Sequence, residues 1–148
     1  MEDFLDDFRQ TISTSSEQLL KISAEKSGAP RAEGKWSPKQ IIGHLIDSAS
    51  NNHQRFVRLQ NEDGLVLPAY QQNDWVHTQK YAGREWRDLV EFWLAYNRHL
   101  VHVLRHADAR AGAHVWKATG GDVTLAFLIE DYLSHLRHHL EQLLGPPA

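Results

Sequence analysis

The chain has 148 residues, a length that one hydrophobic core can serve, and its 41% hydrophobic and 24% charged residues are typical of a globular protein. Its formal net charge of -3 provides no basic patch to neutralise phosphates, which argues against a nucleic-acid partner. Cysteine is absent, which excludes disulfides, thiolate metal ligands and cysteine nucleophiles. We expect a single domain over residues 1–148.

The first predicted helix covers about residues 3–26, where apolar side chains recur at helical spacing, and it stops before the turn-forming residues 27–30. The N-terminal residues, which begin with Met1, Glu2, Asp3 and Phe4, lack the basic start and apolar run of a secretory signal. No stretch of the chain approaches the roughly 18 apolar residues that a membrane helix needs. We therefore expect a cytoplasmic protein with no membrane partner.

A second helix is predicted from Pro38 to about residue 60, because Ser37 is a good N-cap and proline suits the first helical position. The connection over residues 61–83 is long enough to be functional, and we expect a short helix near residues 71–79. A third helix is predicted over about residues 84–106. The fourth runs from about residue 124 to 144 and stops at Gly145, Pro146 and Pro147.

The strand pattern, an alternation of apolar and polar residues, is not found along the chain. The sequence therefore predicts an all-α four-helix bundle with a long connection between its second and third helices.

Ten histidines are the unusual feature of the composition. The helix face on which each one lies distinguishes candidate metal ligands from surface residues. His135 and His139 are four residues apart, so both imidazoles can reach one ion from the margin of the apolar face of the fourth helix. His44 lies in a polar stripe beside the apolar face of the second helix. The three residues could instead be a polar core edge and a hydrogen-bonded helix histidine.

The remaining histidines are predicted to be surface or hydrogen-bonded residues. His99, His102 and His106 lie away from the apolar face of the third helix, although the last two also have the four-residue spacing. His138 points toward solvent on the fourth helix. The other three, which have no partner at ligand spacing, are His53, His77 and His114.

Three imidazoles without an evident fourth protein ligand are typical of a catalytic metal site, which keeps positions open for water or substrate. Two carboxylates near the histidines, Asp47 and Asp131, could orient an imidazole, but a solvated helix carboxylate is the favoured interpretation of each. Further candidates for substrate contact or for lining the pocket are Asn51, Asn52, Arg55, Tyr70, Asp74 and Trp75.

Two segments carry a resemblance to a known family: W-S-P-K-Q-I-I-G-H-L-I-D at residues 36–47 and D-Y-L-S-H-L-R-H-H-L at residues 131–140. In this order and at this separation they resemble the DinB/YfiT-like superfamily of metal-binding four-helix bundles. The resemblance covers essentially the whole chain. It implies that one divalent metal ion, nickel, zinc or iron, is bound by His44, His135 and His139.

The resemblance also implies an activity. Relatives include S-transferases and an isomerase that use bacillithiol or mycothiol, and proteins labelled metal-dependent hydrolases. We therefore expect an enzyme in which the metal activates a thiol or water, acting on a small molecule, with a low-molecular-weight thiol as a possible partner. The alternative is a non-catalytic, metal-stabilised bundle used for binding, sensing or dimerisation. A homodimer is expected by analogy, and no catalytic residue is assigned.

Overall fold

The computed structural model describes residues 1–146, in which four long helices pack into the predicted bundle. In chain order the elements are α1 (Glu2–Leu19), α2 (Ala24–Ser27), α3 (Pro38–Asn61), α4 (Gln72–Thr78), α5 (Trp86–Arg105), β1 (Val115–Ala118), β2 (Gly121–Thr124) and α6 (Leu125–Leu144). Helix α6 ends where the sequence predicts, directly before Gly145, although Pro147 of the predicted stop lies outside the described residues.

The first predicted helix is wrong in its extent, because α1 ends at Leu19 and residues 24–27 form the separate helix α2. The break occurs where Ser23 takes an extended backbone and its side chain accepts a hydrogen bond from the Lys26 amide. Because an N-cap residue has a non-helical backbone, one continuous helix cannot pass through Ser23. The carbonyl of Leu19 accepts a hydrogen bond from the Trp86 indole at 2.8 Å, which connects this end to α5.

Helix α3 begins as predicted, with Ser37 as N-cap and Pro38 in the first helical position. The Ser37 hydroxyl accepts from the Gln40 amide at 3.3 Å, and the Gln40 side chain accepts from the Ser37 amide at 2.9 Å. These reciprocal bonds form a capping box, which fixes the start of the helix less than two turns before His44.

The long connection contains the expected short helix, α4, within the predicted range. A single 3-10 turn follows at Tyr81–Gly83. Helix α5 begins at Trp86, two residues later than predicted, because Arg84 and Glu85 both have extended backbones. The connection packs against α3, mainly through α4 and the 3-10 turn.

The expectation that the chain has no strands is wrong, because β1 and β2 form an antiparallel hairpin before α6. Each strand has four residues, too few for an alternating pattern to be distinctive. A contact distant in sequence supports the hairpin: Leu65 donates to the Val115 carbonyl and accepts from the Lys117 amide, at 2.9 and 2.8 Å. The hairpin therefore places Trp116 beside the start of the long connection.

The core lies between the four long helices, and a buried polar contact sets the position of α6 within it. The Tyr132 hydroxyl donates to Oδ1 of Asn97 at 2.6 Å, and the Asn97 amide donates to the Trp93 carbonyl at 2.9 Å. This contact fixes the helix that carries His135 and His139. The largest fully buried apolar residues include Phe8, Ile12, Ile42, Leu45, Phe56, Trp93 and Leu100.

Within residues 1–146, no helix has the length and apolar character needed to cross a membrane.

Candidate metal centre

The three predicted histidines come together where α3 packs against α6. Nε2 of His135 lies 3.3 Å from Nε2 of His44 and 3.1 Å from Nε2 of His139. One ring nitrogen of each residue lies within 4.8 Å of those of the other two. Two nitrogens that each bind a shared tetrahedral ion at 2.0–2.1 Å are separated by roughly 3.3 Å, so the observed spacing fits a common divalent ion.

His44 is held on the buried side of this cluster and is only 2% exposed. The half-buried indole of Trp36 lies against it, with ring centroids 5.0 Å apart. His135 and His139 are half-buried and lie one helical turn apart on α6. The cluster therefore has one sealed side, formed by α3 and Trp36, and one side that is closer to solvent.

The orientation of His139 is fixed by Gln142, a residue that was not predicted to belong to the site. Nδ1 of His139 lies 2.9 Å from Oε1 of Gln142. Since a carbonyl oxygen can only accept, Nδ1 carries the proton and Nε2 presents its lone pair to the cluster. Such a partner for the distal ring nitrogen is usual for metal-binding histidines. The three-residue spacing from His139 on one helix is the sequence signal that could have identified Gln142.

Burial keeps the three imidazoles neutral. Desolvation, with smaller contributions from His139 and His135, lowers the pKa of His44 to about 3. Desolvation is also the largest cause that lowers the pKa values of His135 and His139. At neutral pH all three rings are therefore unprotonated at one nitrogen, which is the form that binds metal ions.

Three neutral imidazoles suit zinc, nickel and iron alike, so the donor set does not select among these ions. Within residues 1–146 this is the sole group of three or more His, Cys, Asp or Glu residues close enough to share an ion. With three protein ligands, a four-coordinate ion would have one position left for a small molecule.

Asp47 does not have the solvated position that was favoured for it, since it is only 2% exposed. Its Oδ1 accepts from the Tyr81 hydroxyl at 2.7 Å and from the Gln79 amide at 2.8 Å. Its buried Oδ2 has no hydrogen-bond partner in the part of the chain that the structure describes. Burial raises the pKa of this carboxyl. Asp47 makes no hydrogen bond to the three histidines, so within residues 1–146 it anchors the long connection and does not orient a ligand.

The approach of Tyr81 to α3 depends on Gly43. A Cβ atom at position 43 would lie 2.2 Å from the Tyr81 ring, which leaves glycine as the residue that fits here. Sequence reasoning missed Tyr81 and Gly43, because the contact depends on how the long connection folds back onto α3. Asp131 is exposed, in agreement with the favoured interpretation.

The other candidates lie further along α3 and in the connection. The side-chain amides of Asn51 and Asn52 donate back to carbonyls of their own helix, at 2.8 and 2.9 Å. Arg55 is buried, and the Tyr70 ring packs edge-on against Trp75 with centroids 5.1 Å apart. Asp74 is exposed. None of these side chains hydrogen-bonds to the three histidines in the described part of the chain.

The remaining histidines lie outside the cluster. His99, His102, His106 and His138 are exposed, as their faces predict. His53 is hydrogen-bonded to the Tyr96 hydroxyl at 2.9 Å, and His114 to the Leu59 carbonyl. His77 is exposed on α4. The hydrogen-bonded or surface role expected for each therefore agrees with the structure.

A bundle of four long helices with a three-histidine cluster between α3 and α6 is the class of protein that the fold and the site define. The model of the DinB superfamily matches residues 7–143, and the chain belongs to this superfamily.

Two sequence relatives come from bacilli, and each is named a "putative metal-dependent hydrolase". The relative from Bacillus mycoides is 24% identical over 93% of this chain and 82% of its own length. The relative from Oceanobacillus iheyensis is 20% identical over 86% of this chain and 73% of its own length.

Two solved structures share the fold. YfiT from Bacillus subtilis, described as "a probable metal-dependent hydrolase with an unusual four-helix bundle topology", has a TM-score of 0.84 at 16% identity and covers 95% of this chain and 81% of its own. A mycothiol-dependent maleylpyruvate isomerase has a TM-score of 0.78 at 17% identity and covers 99% of this chain. This chain spans 61% of the isomerase. At these identities the likeness shows the fold.

Proposed function

We propose that the protein binds one divalent metal ion through Nε2 of His44, His135 and His139 and is a metal-dependent enzyme acting on a small molecule. The observation that carries this proposal is the convergence of three neutral imidazole nitrogens at separations of 3.1 and 3.3 Å on a partly accessible side of the bundle. When bound, the ion would lower the pKa of a coordinated water or thiol and so supply a nucleophile near neutral pH.

The protein's own residues would prepare the site for that chemistry. Burial keeps the three rings neutral, and the Gln142 carbonyl holds His139 in the tautomer that directs its lone pair inward. Trp36 shields His44 on one side, which limits water there. Trp36 and Gln142 are therefore positioning residues.

The names of the relatives support two forms of the reaction. The bacillary proteins and YfiT are named as hydrolases, which favours water as the nucleophile. The isomerase depends on mycothiol, which favours a low-molecular-weight thiol. Both would use the same three ligands, so the difference lies in what else the site binds.

Two assays on the metal-loaded protein distinguish these forms. Hydrolysis of p-nitrophenyl acetate without added thiol tests water activation. Transfer of bacillithiol or N-acetylcysteine to 1-chloro-2,4-dinitrobenzene, which forms a carbon–sulfur bond and releases chloride and a proton, tests thiol activation. Turnover should be lost in the His135→Ala/His139→Ala variant and kept in His138→Ala, whose ring is exposed.

A metal-loaded protein that catalyses neither reaction would contradict the enzymatic proposal and support the non-catalytic alternative. In that case the metal should still raise the unfolding temperature, because ions that bind the folded state stabilise it.

We also propose that the protein is cytoplasmic and that it forms a homodimer; the dimer rests on analogy with the family. Sedimentation equilibrium at micromolar concentration tests the oligomeric state, and a single monomeric species would contradict the dimer.

A further inference from the structure

Arg55 is a buried cation that has no anionic partner among the described residues 1–146. The residue is only 6% exposed, and none of the ion pairs formed within residues 1–146 includes it. Burying an unpaired charge is costly, and buried charges in proteins are normally paired. An arginine in this position is therefore a candidate for binding an anion.

One edge of the guanidinium has no hydrogen-bond partner within residues 1–146. Nη1 donates to Oδ1 of Asn52 at 3.3 Å, and the Trp116 ring covers one face with its centroid 3.9 Å from Cζ. Among the described residues neither Nε nor Nη2 has a hydrogen-bond partner; Nε is fully buried, whereas Nη2 is not. Because Nε and Nη2 lie on the same edge, they present two parallel N–H groups that match the two oxygens of a carboxylate.

Trp116 and Asn52 hold this edge in place. The Trp116 indole donates to the Leu67 carbonyl at 2.8 Å, which fixes the ring that lies on Arg55. The Asn52 amide donates to the Ser48 carbonyl, which directs its oxygen toward Nη1. The guanidinium is therefore oriented before any ligand arrives, which lowers the entropic cost of binding.

Tyr70 adds a neutral polar group to the same region. Burial is the largest cause that raises the pKa of Tyr70 to about 12; the charge of Asp47 raises it further, and the charge of Arg55 acts in the opposite direction. The phenol therefore stays protonated at neutral pH and adds no negative charge that would repel an anion.

Arg55 and His44 lie on the same side of α3. Their separation of 11 residues corresponds to about three turns, or about 16 Å along the helix axis. Ser48 and Asn51 lie between them on the same stripe. A molecule that reaches both ends must therefore be elongated along α3.

We propose that Arg55 binds the carboxylate of an elongated organic anion whose reacting group lies at the three histidines. This inference rests on the proposed function for the role of the histidine end. It adds a substrate class to that function: small molecules that carry a carboxylate remote from the thiol or from the bond to be cleaved.

The test uses the 148-residue chain without a histidine tag, supplied with zinc. It is labelled with nitrogen-15 so that the arginine Nε–H signals can be followed. The Arg55 signal is assigned by its absence in Arg55→Lys, which keeps the charge but removes the two-donor edge. The protein is titrated with succinate, or with uncharged succinamide at matched ionic strength. Calorimetry measures affinity in the parent, in Arg55→Lys and in the control Arg58→Lys, an exposed arginine on the same helix.

We expect a saturable shift of the Arg55 signal with succinate and none with succinamide. Arg55→Lys should weaken succinate binding by at least about tenfold, because a lysine cannot offer the paired donors, whereas Arg58→Lys should bind like the parent. An Arg55 signal that does not move, or that moves equally with succinamide, overturns the proposal. Unchanged affinity in Arg55→Lys also overturns it, since the succinate would then bind at the metal or elsewhere.

Zinc content is measured on the same samples and keeps the two proposals separate. A chain that holds no zinc but shows the Arg55 shift would remove the proposed metal function and leave the anion site supported. A chain that holds zinc but does not show the Arg55 shift would support the proposed metal site and overturn the anion site.

Discussion

Oε1 of Gln142 lies 2.9 Å from Nδ1 of His139 and accepts its proton in a hydrogen bond. Because this bond fixes the tautomer, the lone pair on Nε2 of His139 faces His135. His44 has no equivalent support from residues 1–146, because its buried Nδ1 has no hydrogen-bond partner among them. Within residues 1–146, His139 is therefore held by a hydrogen bond that His44 lacks.

Removing the Gln142 acceptor should weaken metal binding. We expect Gln142→Leu to lower the metal affinity by about 10- to 100-fold, because the His139 ring would lose the partner that sets its tautomer. Competition with a chromogenic chelator measures the affinity. Gln142→Glu keeps an acceptor at this position and should bind metal at least as tightly as the parent. Parent-like affinity in Gln142→Leu would show that the bond has no role in the site.

Alanine at position 43 should destabilise the fold, although alanine favours helices over glycine by about 1 kcal/mol. The new Cβ would meet the Tyr81 ring at 2.2 Å, and that ring is held by its bond to Asp47. We expect a net loss of about 1–3 kcal/mol in the free energy of unfolding, typical of an overpacked core. Urea denaturation followed by circular dichroism measures this loss.

Gly28→Ala is the matched control, since a Cβ there would meet its nearest atoms at 3.9 Å and its φ of -94° suits any residue. Its free energy of unfolding should change by less than about 0.5 kcal/mol. A stabilised Gly43→Ala variant would contradict the close packing of Tyr81 on α3.

The metal-free protein should lose stability as the pH falls below 6.5. His44 has a pKa near 6.5 when unfolded and about 3 when folded, so between these values the unfolded chain binds a proton that the folded state does not. The stability associated with neutral His44 is therefore complete above 6.5 and is lost as the pH falls toward 3. His135 and His139 shift in the same direction.

Thermal unfolding of the metal-free protein between pH 7 and pH 4 measures this effect. His44→Asn lacks the titrating ring and should show a shallower decline in Tm than the parent, while carboxylate titration contributes equally to both. Parallel declines in the two proteins would contradict the lowered pKa of His44.

Local sequence patterns predicted the long helices and the pairing of His135 with His139, because both depend on spacing within one helix. The capping residues Ser37 and Pro38 located the start of α3 for the same reason. The position of His44 opposite them depends on how α3 packs against α6. For this the helix face gave only an indication, which the family resemblance strengthened.

Contacts between segments distant in sequence account for what was missed. The β1–β2 hairpin depends on pairing with Leu65, about 50 residues earlier in the chain. Asp47 was expected to be solvated, but Tyr81 and Gln79 from the end of the connection cover it. Ser23 was a local signal for the break after α1. The apolar residues continue at helical spacing beyond Leu19, so the pattern predicted one longer helix.

Metal content tests the central claim most directly. Protein purified without a histidine tag, in parent, His135→Ala/His139→Ala and His138→Ala forms, is incubated with zinc, nickel or iron, desalted and measured by elemental analysis. The account predicts close to one ion per chain in the parent and in His138→Ala, and almost none in the double variant. A metal-free parent, or a double variant that retains the ion, would contradict the assignment of His44, His135 and His139 as the metal ligands.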